Sequence, residues 1–241
     1  MTDLFFQKGR EGRTIAFVRD FASLDDRLSY LHYHPEHAAL LGALRAAVGT
    51  VPLAEVVREP VRRGVQPDYD DDASRVVLKT VDVRDGWIDA DGARRVSDAF
   101  FEANEGAHVR RGDVLVTATG FGSMGKAAVY DRDEPALVDG HVAIVRTDER
   151  YDPYFLSAFL RSAAGAVQFD RWFSGSSGQI EMPSGDLERF EVPSPEAVPL
   201  AEQRRIASEI AEQEAEASRL EAQAAARRHA ARARFEALVL G

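Results

Sequence analysis

Arg111-Gly-Asp-Val-Leu-Val-Thr-Ala-Thr-Gly120-Phe-Gly-Ser-Met-Gly-Lys-Ala-Ala-Val-Tyr130 reads as a strand, a glycine-rich turn and a second strand. Val114–Thr119 is rich in β-branched residues and bounded by glycines, and Lys126–Tyr130 is a second short apolar run. Gly120, Gly122 and Gly125 permit positive φ or a close approach to a ligand. The turn matches Gly-x-Gly-x-x-Gly, with Asp139 at a plausible distance. A dinucleotide site also needs a helix straight after the glycines. Ala127–Tyr130 is too short for one and runs into Asp131-Arg-Asp-Glu-Pro135, which is turn chemistry. His141–Val145 follows as a third strand, which predicts a meander and not a βαβ crossover. The glycines either merely close a hairpin or carry Lys126, Thr119 and Ser123 to a binding surface; the second reading is preferred.

Upstream, Thr14–Val18 reads as a strand. Leu28–Val48 has helical character, with Pro35 at a first-turn position, apolar residues at helical spacing and Gly49 as a stop. His32, His34 and His37 cluster at its entry, but no cysteine or carboxylate partner accompanies them, so they read as surface histidines. Asp68–Asp72 lacks the glycine and terminal glutamate of a calcium loop and reads as a solvated acidic loop. Arg75–Val83 reads as one strand, turned by Asp85-Gly86.

Downstream, Asp152-Pro153 opens a helix with an N-cap and a proline at the first position. Ser174–Gln179 reads as a flexible polar segment, and Ile180–Val192 has strand-like composition. Pro193, Pro195 and Pro199 mark a boundary. Leu200–Leu240 has no glycine or proline and is crowded with helix formers. Ile206, Ile210, Ala217, Leu220, Ala224, Ala231 and Leu238 trace a heptad-like seam. About 40 residues at 1.5 Å each give a helix of roughly 60 Å. Such a helix needs a partner to cover its seam, and Leu28–Val48 is the other helix of useful length.

The chain has 241 residues, 45% hydrophobic, with no cysteine and a net charge of −10. A disulfide framework and thiolate chemistry are thereby excluded. The charge argues against a tight, autonomous, non-specific nucleic-acid binder, although Arg62-Arg63, Arg94-Arg95, Arg110-Arg111 and Arg227–Arg234 concentrate base locally. The N-terminus lacks a signal peptide and no apolar stretch spans a membrane, which predicts a cytoplasmic protein. Pro67-Asp68 lacks the downstream acid-x-Lys of a restriction nuclease. Asp152-Pro-Tyr-Phe155 lacks the second proline of an amino-methyltransferase motif, and no Gly-x-Ser-x-Gly elbow occurs. No catalysis is read into the chain.

The ordered set Gly112-Asp-Val-Leu-Val116, Thr119-Gly120 before Gly125-Lys126, Asp152-Pro-Tyr-Phe-Leu156, Ser174–Gln179, Phe190-Glu-Val-Pro193 and Val198-Pro-Leu-Ala-Glu-Gln203-Arg-Arg-Ile206 resembles the specificity subunit of type I restriction–modification systems. The resemblance covers residues 27–240. It implies an α+β fold: an N-terminal extension (1–26), a helix (27–50), a β-rich target recognition domain (51–195) and one long dimerisation and spacer helix (196–241). It also implies a half-subunit with one recognition domain, which pairs with a second copy to read an interrupted palindrome in double-stranded DNA. Lys79, Thr80, Arg84, Arg94, Arg95, Gly122, Ser123, Lys126, Arg171, Ser174, Ser176, Ser177 and Gln179 are the expected DNA contacts. The seam residues from Ile206 to Leu238 are the expected partner contacts. No metal or cofactor is expected on this chain. S-adenosylmethionine would sit on a partner adenine methyltransferase, and a restriction and translocase subunit is a further expected partner. The alternative is a β-rich adaptor, dimerised through its C-terminal helix and without DNA binding.

Overall fold

The computed structural model describes residues 2–8, 14–20, 29–176 and 179–240. Strands β1 (Thr2–Lys8) and β2 (Thr14–Asp20) pair antiparallel. Helix α1 (Pro35–Val48) starts at Pro35, later than the composition suggests, because residues 30–33 form turns. It ends at Gly49, whose φ of 58° stops it. Strand β3 (Thr50–Pro52) leads to β4 (Arg62–Arg63), β5 (Arg75–Leu78) and β6 (Arg94–Val96). Helix α2 (Asp98–Ala103) is capped by Ser97, whose side chain accepts from Phe100 N. Then follow β7 (His108–Val109), β8 (Val114–Thr117), β9 (Ala127–Val129), β10 (Ala136–Val138) and β11 (Val142–Val145). Helix α3 (Pro153–Arg161) is capped by Asp152, which accepts from Tyr154 N and Phe155 N, as its Asp-Pro start predicts. Helix α4 (Ala163–Trp172), hairpin strands β12 (Ser174–Ser176) and β13 (Gln179–Glu181), the short α5 (Ser184–Leu187), β14 (Glu191–Pro193) and the 40-residue α6 (Leu200–Val239) complete the chain.

Two four-stranded sheets, ordered β6-β5-β10-β7 and β4-β11-β8-β9, pack face to face. Leu78, Val109, Ala136 and Val138 of the first meet Leu115, Ala128, Val142 and Ile144 of the second. Strand residues alternate faces. Val114, Val116, Ala127, Ala143 and Val145 therefore turn to the other side and pack on Phe155, Phe159, Leu160 and Phe169 of α3 and α4. Val77 and Leu137 turn outward onto the α2 side, with Phe100 and Phe101. The protein is thus an α+β layering in which the β8 sheet is buried on both faces. That burial is why Val-Leu-Val and Val-Ala-Ile-Val are continuous apolar runs without alternation.

Several expectations change. The three central strands are not a meander. β11 pairs with β8, not with β9. The outer edge of β9 is already occupied, because Ala127 O accepts from Gly86 N and from Ser157 Oγ. The intervening Ala136-Leu-Val138 leaves the sheet and lies parallel to β5 in the other one. The strand expected over Arg75–Val83 stops at Leu78. There the Asp82 carboxylate accepts from Lys79 N at 2.7 Å and folds the chain into a turn. Ser174–Gln179 forms the β12–β13 hairpin, and Ile180–Val192 holds β13, α5 and β14, not one strand. β14 pairs with β3 and so joins the two ends of the sandwich region.

Helix α6 does not pair with α1. It lies against α3: Ile206 and Ala207 join the same apolar cluster as Phe155 and Phe159, and α1 packs instead on α4 and β14. Gln203 is fully buried and bonds to Asp152 N, Arg150 O and Val198 O. Arg161 and Glu214 close this contact with an ion pair. Beyond Glu214 the helix leaves the domain. Ala217, Leu220, Ala231 and Leu238 are exposed, and Ala224 is half-exposed.

Candidate functional site

The loop between β8 and β9 is built by its glycines. Gly120, Gly122 and Gly125 all have φ between 82° and 91°. Its base is pinned by short polar contacts. Ser123 Oγ donates to Thr119 O at 2.7 Å, Met124 N donates to Gly120 O at 3.0 Å, and Thr117 Oγ1 donates to Ser123 O. A Cβ on Gly125 would press on the buried Phe169 ring at 3.1 Å, so the loop sits directly on the core.

The β12–β13 hairpin lies alongside. Gly120 N donates to Ile180 O, Met182 N donates to Ala118 O, and Thr119 forms a bridge with Glu181. Gly175 is obligatory here, because its φ is 97° and a Cβ would stand 2.1 Å from Gln179 O. The structure therefore brings Gly122, Ser123 and Lys126 together with Ser174, Ser176 and Gln179. Ser177 lies outside the described residues.

On the other flank, Thr119 Oγ1 and His141 Nδ1 are 3.0 Å apart, and Asp139 accepts from His141 N. β10 runs parallel to β5, and Asp139 N donates to Leu78 O, which brings Lys79 and Thr80 to the same end of the sandwich. The result is a continuous rim from Lys79 through His141 and the glycine loop to the β12–β13 hairpin. Arg63 adds to it through an ion pair with Glu181. Arg63 belongs to the basic pair Arg62-Arg63 and His141 opens β11's approach, but no local pattern points either to this rim; only the β11–β4 and β11–β8 pairings bring them here.

The remaining candidates have other surroundings. Arg94 is held by both oxygens of Asp71, at 3.0 and 2.9 Å, and its guanidinium lies 3.9 Å from the centre of the Tyr69 ring. The hydrogen bond from Arg94 holds the Asp71 carboxyl below the usual carboxylate range. The acidic loop therefore orders an arginine as well as meeting solvent. Arg95 donates to Ser74 O, and Arg84 reaches Asp89 at 3.4 Å. The Arg84–Trp87 turn docks on β9 through Gly86, one residue from Lys126. Arg171, at the end of α4, meets the N-terminal segment: its carbonyl and guanidinium lie 3.2 and 3.4 Å from the ring nitrogens of His32.

Charge within the rim is balanced finely. Burial pushes the Asp139 and Asp82 carboxyls above the usual range, against the pull of Lys79. Lys79 lies 5.9 Å from the Tyr69 ring centre, and Lys126 forms no ion pair among the described residues. Both lysines can thus meet an external anion. Among the described residues no group of three His, Cys, Asp or Glu could hold a metal ion, and no helix is long and apolar enough to cross a membrane.

No family model and no curated protein matches the chain. Solved structures do. A chain from a study of complex assembly and conformational transition of the type I R-M system aligns with 78% of this chain and 46% of its own length, at TM-score 0.51 and 20% identity. The chain has the fold of a type I restriction–modification specificity subunit. The type IIG restriction endonuclease BpuSI aligns with 83% of this chain and 31% of its own, at TM-score 0.53 and 10% identity. The HsdS subunit from Thermoanaerobacter tengcongensis gives 78%, 46%, 0.49 and 18%. The chain spans about half the length of the type I and HsdS chains it matches.

Proposed function

We propose that this chain reads DNA sequence for a restriction–modification methyltransferase, and that the rim from Lys79 to Gln179 is its reading edge. The observation that carries this is the rim itself. In a specificity-subunit fold, the loop that carries Ser123 and Lys126 is tethered through residues 118–120 to the hairpin that carries Ser174, Ser176 and Gln179, at one end of the sandwich. Lysines there neutralise phosphate and set register, while serine and glutamine side chains hydrogen-bond base edges. The chain is the recognition element and not the catalyst. An adenine methyltransferase subunit carrying S-adenosylmethionine modifies the base, and a separate translocase subunit cleaves where the system restricts. The place of action is the cytoplasm.

The active form is a two-fold pair joined along α6. Past Glu214 the helix exposes Leu220, Phe235 and Leu238, which water alone does not stabilise. Charge supports an antiparallel arrangement. Glu202, Glu209, Glu212, Glu214, Glu216 and Glu221 outnumber the arginines of the first half, and Arg227, Arg228, Arg232 and Arg234 outnumber Glu236 in the second. Antiparallel copies set acid against base along the helix, whereas parallel copies set like against like. Two identical reading edges would then recognise an interrupted palindrome.

Expression of the chain with an adenine methyltransferase subunit of a type I restriction–modification system, followed by genome-wide mapping of methylated adenine, tests the proposal. Methylation at one interrupted palindrome, lost when this chain is omitted, is the expected result. Methylation that is unaltered by omitting the chain sinks it and favours the adaptor reading, in which α6 dimerises the chain without DNA contact.

A further inference from the structure

Phe121 stands at the tip of the β8–β9 loop and is 80% exposed. The loop around it is not loose. Thr119, Gly120, Ser123, Met124 and Gly125 are pinned by hydrogen bonds, by Gly120 N to Ile180 O and by packing on Phe169. Only the Phe121-Gly122 pair projects. Both neighbours of Phe121 are glycines with positive φ, and an added Cβ on Gly122 would meet nothing within 4 Å. The tip is therefore a single aromatic ring on a narrow, bare backbone. Single exposed apolar side chains are ordinary on protein surfaces; what sets this ring apart is that a hydrogen-bonded loop holds it 80% exposed at its tip.

We propose that Phe121 is a wedge that enters one base step of the bound duplex and unstacks it. This rests on the DNA-reading role above. The chemistry around the ring favours a base step over an apolar protein groove. Thr119 and Ser123 form the base of the loop, His141 meets Thr119, Lys126 closes the loop onto β9, and the β13 strand Gln179–Glu181 lies alongside. Apolar side chains inserted between base pairs kink the duplex, and the bare flanks let the backbone approach the groove floor. The wedge adds discrimination at a position that makes no hydrogen bond, because flexible pyrimidine–purine steps open more easily than stiff ones.

The test uses the chain assembled with its methyltransferase, and a duplex carrying the methylated motif with 2-aminopurine placed in turn along it. Fluorescence is expected to rise at one step besides the adenine that the methyltransferase extrudes. Phe121→Ala is expected to remove that rise and weaken binding about tenfold or more, with an unchanged melting temperature; Phe121→Leu keeps part of the rise. Equal brightening and affinity for Phe121→Ala overturn the wedge alone. Loss of assembly with the methyltransferase when DNA is absent also overturns it, by making Phe121 a protein contact. A wild-type complex that ignores the duplex overturns the DNA-reading role and the wedge together.

Discussion

The side-chain oxygen of Gln203 accepts the backbone N–H of Asp152 at 2.8 Å, while its amide donates to Arg150 O and Val198 O. One buried side chain therefore ties the root of α6 to the residue that caps α3. The Pro-Leu-Ala-Glu-Gln run that opens the long helix has a physical reason in this contact. Asp152 caps α3 with its carboxylate while its own N–H is satisfied by α6, so the two helices are registered at their N-terminal ends.

Gln203→Ala leaves the Asp152 N–H and two carbonyls without this partner. Stability should fall by about 1–3 kcal/mol, the usual cost of unsatisfied buried polar groups. Denaturant unfolding measures it. Hydrogen exchange should show the first three turns of α6 losing protection; full protection would mean that apolar packing alone seats the helix.

Asp113 is almost completely buried, and both its oxygens accept from Arg146 at 2.7 Å, with Glu59 on the same guanidinium. The Asp113 hydrogen bond raises the Arg146 pKa further above its ordinary value. Asp113→Ala strands a largely buried cation with only Glu59 to balance it. A loss of about 3–5 kcal/mol is expected. A change below about 1 kcal/mol in chemical denaturation would show that water replaces the carboxylate there.

Burial raises the Asp139 pKa, so the folded chain holds its proton to a higher pH than the unfolded chain does. A raised folded pKa means that its stabilising effect is complete in acid, below the unfolded pKa. The effect is lost as pH rises through the folded value. Asp139→Asn keeps the acceptor for His141 N and removes the charge. It should stabilise the free chain at pH 7 and make little difference near pH 3, as thermal melts at the two values would show. Stabilisation that is equal at both pH values contradicts the burial account.

Lys126→Ala should weaken DNA binding by the assembled complex and lower the salt dependence by about one phosphate contact, with an unchanged melting temperature. Salt titrations of affinity measure both. An unchanged slope would remove Lys126 from the phosphate contacts.

Leu220 lies near the middle of α6 and is exposed. A two-fold antiparallel pair places it close to its own counterpart. Leu220→Glu should shift the chain to monomer in sedimentation at micromolar concentration while leaving the domain folded. A wild-type chain that is already monomeric at tens of micromolar removes the two-fold pair.

The glycine loop was legible because Gly120, Gly122 and Gly125 are backbone requirements, and each takes the positive φ that its residue type permits. The Asp152-Pro153 cap and the 40-residue α6 were legible for the same reason: local hydrogen bonding and propensity write them in adjacent residues. The sequence by itself therefore determined the glycine hairpin, the capped start of α3 and the long helix. Tertiary structure alone decided the strand partners. Ala136–Val138 lies parallel to β5, and β11 chooses β8 over β9, because the β9 edge is closed by Gly86 and Ser157, which lie 41 residues before and 30 after Ala127. The same long-range pairing gathers Lys79, His141, Lys126 and Gln179 into one rim. Hydrogen-bond satisfaction at a sheet edge is a property of everything that reaches it, and no window of neighbouring residues contains that information.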